Sequence, residues 1–201
     1  STKCGFAGSP DQDRDLVLGQ GLAQCRGGLG ERDLVGPGVL VTLATGLDAM
    51  VHAIEACTVK SSHPFVQANG LHAIGLIYQH LVKALERPQN LKARAHLLTA
   101  STLAGLAIEG AGTGLAHSIG HALGTIAGIH HGRAVALALD VIFPKNATTA
   151  IDIHAEIAAA LGVQVDKTAA AQTAKMGARA FSDFIQRTGI ELSLTPDGLT
   201  R

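Results

Sequence analysis

Apolar side chains recur at helical spacing through most of the chain from Val39 onward. In the first such segment they lie three or four positions apart, as on one face of a helix: Leu47, Met50, Val51, Ile54 and Cys57. Thr45, with Asp48 three positions later, resembles a capping box. The pattern therefore predicts a helix of roughly three turns that begins near Thr45.

Prolines and glycines divide the rest of the pattern into further helices. The predicted helices are about 45–57, 64–86, 91–108, one carrying His117 and His121, 131–143, 151–161 and 166–188. The segment 91–108 is apolar almost all round, which favours a central position. We expect Pro144 to end the fifth helix and Gly162 the sixth. Asp166 is expected to cap the last helix and Gly189 to close it.

Residues 1–38 differ from the rest of the chain. They are rich in glycine, contain Cys4 and Cys25, and show neither a helical nor a strand period. The sequence thus predicts an irregular segment at 1–38 followed by a helical domain at 39–201. The fold class predicted for the protein is all-α, a helical bundle.

Charge and composition disfavour several classes of binding partner. Lys plus Arg and Asp plus Glu number 16 each, so there is no positive excess to attract nucleic acid or an anionic membrane. The longest apolar stretch, Leu97–Ile129, is interrupted by Gly110, Gly112 and Gly114, and we expect two buried helices there and no membrane span. The three cysteines form no CxxC pair, and no signal-peptide pattern is present, which favours the cytoplasm.

The candidate chemistry lies in a group of histidines and one carboxylate. Asp48 and His52 are four positions apart, so on a helix their side chains can close on one ion, and His117 and His121 repeat this spacing. His131 follows a glycine-bearing turn that can fold it back towards them. A carboxylate with several imidazoles suits a divalent transition metal, Fe(II) or Zn(II), at about 2.0–2.2 Å.

Each residue also has a plainer interpretation. Taken alone, Asp48 is better explained as the carboxylate that caps the first turn of its helix, a position that is compatible with metal ligation. A lone histidine is more often a core or surface residue, and five are interpreted in that way: His63, His72, His80, His96 and His154. The cluster is different, because several buried imidazoles without a shared partner would leave polar nitrogens to be satisfied one by one.

Four stretches carry a family pattern: ATGLDAMVHAIEA at 44–56, AS-x-LAG at 100–105, GLAHSIGHALG at 114–124 and HHGRAVAL at 130–137. Together they resemble the C-terminal helical domain of the iron-containing (group III) alcohol dehydrogenases, over about residues 39–160. The resemblance implies four metal ligands, Asp48, His52, His117 and His131. Aspartate at the first of these positions separates the chain from the dehydroquinate synthases, which share the fold and typically have glutamate there.

The resemblance also implies a role for His121. The matching histidine of the family lies beside the metal, near substrate and nicotinamide, and we predict that His121 relays a proton, since a neutral imidazole can accept one near neutral pH. The alternative is that it orients a water or a ligand carboxylate. Two positions depart from the family pattern: His130 replaces the usual proline, and Gly110 a frequent asparagine.

The implied activity is hydride transfer between a small alcohol and NAD or NADP, giving an aldehyde or ketone. The family's Gly-Gly-Ser phosphate-binding turn has no match here, and the pair Gly27-Gly28 lacks a preceding strand, so no cofactor-binding residue is identified and the dinucleotide domain is expected to be absent. The alternative is a metal-binding helical fragment without redox activity. A metal-dependent hydrolase is disfavoured, because no adjacent His-Asp pair occurs. The resemblance also implies that the protein can form homo-oligomers, since dimers or larger assemblies are common in the family.

Overall fold

The computed structural model describes residues 38–165 and 168–199, in which every regular element is helical. The helices are α1 (Val39–Thr58), α2 (Pro64–Glu86), α3 (Leu91–Ala111), α4 (Leu115–Ala127), α5 (His131–Asn146), α6 (Ile151–Ala160), α7 (Ala170–Arg187) and a 3-10 turn (Thr195–Asp197). The all-α prediction is confirmed. The chain divides into two units, Ser1–Val41 and Thr42–Arg201, and the side-chain contacts of the site belong to the second. The predicted irregular segment lies outside the described residues, apart from its last residue.

Helix α1 begins six residues earlier than the sequence pattern predicted. It starts at Val39, so Thr45 lies inside the helix and the predicted capping box is wrong. Five of the six preceding residues are apolar and continue the helical pattern, and Thr42 and Ala44 are buried in the fold. Asp48 consequently lies near the middle of α1, where the interpretation of this carboxylate as an N-terminal cap no longer applies.

Helix α1 is the central helix of this unit. Between Leu47 and Cys57 it is almost entirely buried. A Cβ on Gly70 of α2 would lie 2.9 Å from the Ala53 carbonyl oxygen, and a Cβ on Gly132 of α5 would lie 2.7 Å from the Ala44 carbonyl carbon. Only glycine permits both approaches, because these distances are well inside van der Waals contact. Two glycines therefore set how closely α2 and α5 pack on α1.

Helix α3 is peripheral within the described residues, contrary to the central position predicted for it. Its buried positions are all alanines, while Leu91 and Leu98 are 77% and 72% exposed. The helix packs mainly on α2. A helix that is apolar all round can be buried on every face. How much of its surface is buried depends on which other helices pack against it.

The remaining helix boundaries test the proline and glycine signals. Helix α2 has the predicted bounds, with Pro64 in its first turn, and α6 ends before Gly162, whose φ is 78°. Pro144 does not end α5, which continues to Asn146, since a proline in the last turn removes only one helical hydrogen bond. Helix α7 begins at Ala170, later than predicted, and Asp166 lies outside the described residues.

The first turn of α5 is tied to the end of the described chain by Arg133. Its guanidinium donates to the carbonyl oxygens of Glu191 at 2.8 Å and Ser193 at 2.6 Å, and pairs with the Asp197 carboxylate at 2.9 Å. These bonds help to fix the part of α5 that carries His131. Of the described helices only α1 has the length and hydropathy of a membrane span, and 56% of that window is buried inside the protein, as in a core helix.

Candidate metal centre

Three helices bring one carboxylate and three imidazoles together. Asp48 and His52 come from α1, His117 from α4, and His131 is the first residue of α5; we call these four residues the Asp-His cluster. Oδ1 of Asp48 lies 3.8 Å from Nε2 of His52, 3.7 Å from Nε2 of His117 and 3.3 Å from Nε2 of His131. The donor atoms of Asp48, His52 and His117 all lie within 4.8 Å of one another.

These atoms fit a divalent metal ion. Two ligand atoms that each bind a metal at about 2.1 Å are separated by about 3.0–3.4 Å in octahedral or tetrahedral geometry, close to the spacing found here. Oδ1 of Asp48 and Nε2 of His117 are buried and have no hydrogen-bond partner among the described residues. Buried polar atoms normally have a bonding partner, so two unpartnered atoms that face each other indicate a ligand that both of them bind. One carboxylate and three imidazoles suit iron or zinc.

The electrostatics of the cluster favour a cation. Burial by itself raises the pKa of Asp48, but the imidazoles of His117, His131 and His52 outweigh it and hold that pKa well below its usual range. Burial lowers the pKa of His117, yet the carboxylates of Asp48 and Glu55 raise it overall to about 9. A metal ion at Nε2 of His117 therefore has to displace a proton, so metal and proton compete at this atom.

Glu55 is a residue of the site that the sequence reasoning did not single out. It is buried, and its carboxylate lies 2.6 Å from Nδ1 of His117. The only sequence signal is its position seven residues, or about two turns, after Asp48, which places a second acidic residue on the same side of an apolar helix. That spacing does not reveal its partner, which lies 62 residues away along the chain.

The close packing of α4 on α5 keeps the cluster together. A Cβ on Gly120 would lie 2.5 Å from Cγ1 of Val135 and 3.1 Å from its backbone nitrogen. Glycine at this position lets the two helices approach closely between His117 and His131. The rings of these two histidines consequently lie 5.5 Å apart, while the ring of His52 stacks on that of His117 at 4.6 Å.

His121 lies beside the cluster, one turn after His117. Its ring centroid is 5.2 Å from that of His131 and 6.1 Å from that of His117, and the side chain is exposed. Partial burial and the neighbouring imidazoles of His131 and His117 lower its pKa, which favours the neutral ring. This position suits the predicted proton transfer but not membership of the ligand group.

The two departures from the family pattern differ in their surroundings. His130 has a φ of −55°, which a proline would also adopt, so the backbone is compatible with either residue. Nδ1 of His130 is buried without a hydrogen-bond partner among the described residues, and nothing in the structure explains this. Gly110 lies against Val66, and a Cβ there would approach Cγ2 of Val66 to 2.9 Å.

The five other histidines lie apart from the cluster. His154 is a buried core residue whose Nδ1 lies 2.8 Å from the Ala150 carbonyl oxygen. His80 and His96 stack on each other between α2 and α3 with centroids 4.2 Å apart. His63 and His72 are exposed. The core or surface interpretation of these histidines agrees with their positions.

Comparison with known proteins places this chain in a family. The sequence model of the Fe-containing alcohol dehydrogenase family, C-terminal part, matches residues 42–201. The chain is 32% identical over 166 residues to 1,3-propanediol dehydrogenase of Citrobacter freundii, covering 83% of this chain and 43% of that protein. It is also 32% identical over 150 residues to NAD-dependent methanol dehydrogenase of Bacillus methanolicus, covering 75% of this chain and 39% of that protein.

Solved structures of similar proteins point to the same family. A crystal structure of 1,3-propanediol oxidoreductase superposes with a TM-score of 0.79 at 32% identity, covering 82% of this chain and 43% of that one. The alcohol dehydrogenase from Oenococcus oeni gives 0.77 at 30% identity, covering 81% and 42%. The chain thus spans less than half the length of the relatives it matches. On the family match and this shared fold, the chain belongs to the Fe-containing alcohol dehydrogenase family and corresponds to its C-terminal part.

Proposed function

We propose that this chain is the metal-binding catalytic part of an iron-type, NAD(P)-dependent alcohol dehydrogenase. The observation that carries the proposal is the pair of buried, unpartnered atoms that face each other at 3.7 Å, Oδ1 of Asp48 and Nε2 of His117. With His52 and His131 they would hold one divalent ion, for which we favour Fe(II), with Zn(II) as the alternative. Family membership supports iron.

The chain's own residues divide the work of such a reaction. When bound, the divalent ion supplies a Lewis acid that acidifies the alcohol, and the nicotinamide supplies the hydride acceptor. Asp48 would partly neutralise the charge of the ion, and the imidazoles of His52, His117 and His131 would hold it in place. His121, exposed beside His131, accepts the alcohol proton and passes it to solvent. The buried side chain of His117 and the partly buried side chains of Asp48 and His52 would limit the access of water to the ion.

The substrate class we propose is a small alcohol or the corresponding aldehyde or ketone. The names of the relatives include a propanediol dehydrogenase, an NAD-dependent methanol dehydrogenase and an NADPH-dependent butanol dehydrogenase. They support the class of substrate and a nicotinamide cofactor, either NAD or NADP. We further propose a cytoplasmic protein, with no nucleic-acid or membrane partner, that forms homo-oligomers.

The proposal is tested by metal content, cofactor binding and turnover together. Protein purified without chelator is analysed for metal, titrated with NADH while the cofactor fluorescence is followed, and then assayed with NAD+ and a series of small alcohols. We expect about one ion per chain, NADH binding and alcohol-dependent NADH formation. Tight metal binding with no response to NADH or NADPH would instead favour the non-redox metal-binding fragment. A protein that takes up no divalent metal would contradict both.

Replacing His121 with alanine is expected to lower kcat by about 10²- to 10⁴-fold, the usual contribution of a general acid or base. The metal content should stay at the parent level, because His121 is not one of the proposed ligands. Steady-state kinetics across pH, with elemental analysis of the same samples, separates the two effects. A variant with the kcat and pH profile of the parent would show that His121 relays no proton.

A further inference from the structure

Glu55 is surrounded by N–H donors from a single helix end. Its side chain is only 4% exposed. Oε1 accepts a hydrogen bond from the backbone nitrogen of Ala116 at 2.6 Å, and Oε2 accepts one from that of Gly114 at 2.8 Å. Oε2 also lies 2.6 Å from Nδ1 of His117. The carboxylate of this α1 residue therefore contacts both the N-terminus of α4 and His117, a proposed metal ligand.

We propose that Glu55 is the positioning residue of the metal centre, which it serves by fixing the orientation and tautomer of His117. This inference rests on the proposed metal site. An ionised carboxylate can only accept, so Nδ1 of His117 has to carry a proton. The lone pair of that ring in the metal-loaded protein is then left on Nε2, the atom that faces Asp48.

The surroundings of Glu55 are shaped for a carboxylate. The N-cap residue of α4 is Gly114, which has no side chain to cap the first turn of the helix. The N–H groups of such a turn have no partner within the helix and attract negative charge. A Cβ at Gly114 would lie 2.6 Å from Oε1 of Glu55, so glycine leaves the room that this carboxylate occupies. The N–H groups of Gly114 and Ala116 and Nδ1 of His117 thus supply three hydrogen-bond partners to the two oxygens of this carboxylate.

An amide at this position cannot reproduce the arrangement. Glutamine has one acceptor oxygen and one NH2 group, whereas three N–H groups converge on Glu55. If the NH2 group replaced Oε2, it would face the Gly114 N–H and would donate to Nδ1 of His117, which moves the ring proton to Nε2 and blocks metal binding. If the NH2 group replaced Oε1, the Ala116 N–H would lose its acceptor. Both orientations disturb the first turn of α4 and replace the charged acceptor of His117, which strengthens it as a ligand, by a neutral group, and one orientation also removes the ligand.

A purely structural role makes a different prediction. If Glu55 only capped α4, its loss would lower the stability of the protein but leave the metal affinity of the folded fraction unchanged. If it positions His117, Glu55→Gln should bind metal more weakly even where the protein is fully folded. Partners of metal-ligating histidines typically contribute about 10- to 100-fold in affinity.

The test measures Zn(II) affinity by competition with a chromophoric chelator, using the full chain under conditions in which circular dichroism shows native helix content. We expect Glu55→Gln to lose about 10- to 100-fold in affinity and, when loaded with Co(II), to show an altered visible spectrum. The matched control is Ile157→Val, a buried change in α6, which contributes no residue to the cluster. It should lose stability while keeping the affinity and Co(II) spectrum of the parent.

A second measurement covers the case in which Glu55→Gln fails to fold. The nitrogens of ¹⁵N-labelled histidines in the Zn(II)-loaded parent report which ring nitrogen of His117 carries the proton, and we expect Nδ1. A proton on Nε2, or parent-like affinity and spectrum in Glu55→Gln, would overturn the inference about Glu55 alone. A parent that binds no Zn(II), Co(II) or Fe(II) would overturn the proposed function as well, so the two failures are distinguishable.

Discussion

Changing Asp48 to asparagine is expected to abolish stoichiometric metal binding. The substitution keeps the size of the side chain but removes the only negative charge among the proposed ligands, leaving three imidazoles and a neutral amide around the ion. Loss of a direct ligand should exceed the roughly 10- to 100-fold that an outer partner contributes, so the affinity should fall by more than about 100-fold. Elemental analysis after purification without chelator measures the result.

Thermal unfolding provides a second measurement of Asp48→Asn. A ligand present at about 100 times its Kd stabilises a protein by about 2.7 kcal/mol, so added metal should raise the Tm of the parent but not of the variant. The matched control is Asp152→Asn, an exposed aspartate in the first turn of α6 that should keep the metal and lose at most about 1 kcal/mol. Full metal occupancy in Asp48→Asn would contradict the proposed ligand group.

Changing Gly132 to alanine is expected to destabilise the protein and to weaken its metal site. The new Cβ would clash with the backbone carbonyl of Ala44 in α1, lying 2.7 Å from its carbon. A backbone atom cannot rotate away as a side chain can, so α5 has to shift. Overpacking of this kind costs about 1–3 kcal/mol, and here it should also move the adjacent His131 away from Asp48.

Urea unfolding and Zn(II) affinity would be measured on Gly132→Ala and on the control Gly105→Ala. Gly105 lies in α3 and is exposed, and a Cβ added there would meet no heavy atom within 4 Å. Alanine at this position should stabilise the helix by about 0.5–1 kcal/mol and leave the metal affinity unchanged. If Gly132→Ala matched the parent in stability and affinity, the close approach of α5 to α1 would not be what holds His131 in place.

Local signals predicted the helices well where the chain itself determines the boundary. Pro64 and the residues before Pro88 gave the bounds of α2, because proline fits the first helical turn and disfavours helix in the residue before it. The same signals were wrong where packing outweighs them. Thr45 was expected to cap α1, yet the helix continues through it, and Pro144 was expected to end α5, yet lies in its last turn.

The candidate site likewise contains residues that the sequence predicted and one that it did not. The spacing of Asp48 and His52, and the family motifs, selected four residues, and the fold brings the three imidazoles to 3.3–3.8 Å from the Asp48 carboxylate. His121 was separated from this group by the resemblance, and its exposed position beside the cluster is compatible with that separation. The sequence did not reveal the role of Glu55, although it lies in the same motif as Asp48 and His52, because a lone carboxylate has no characteristic spacing to its partner.

By itself, the sequence determined the all-α class, the approximate order of the helices and the residue types available to bind a metal. These properties depend on neighbours within a few positions, through helix periodicity and turn chemistry. Only the tertiary structure decided that α1 is central and α3 peripheral, that Gly132 sets the distance from α5 to α1, and that Glu55 holds His117. Those facts depend on contacts between residues far apart in the chain, and their energies come from packing and from satisfying buried polar groups, which no local pattern records.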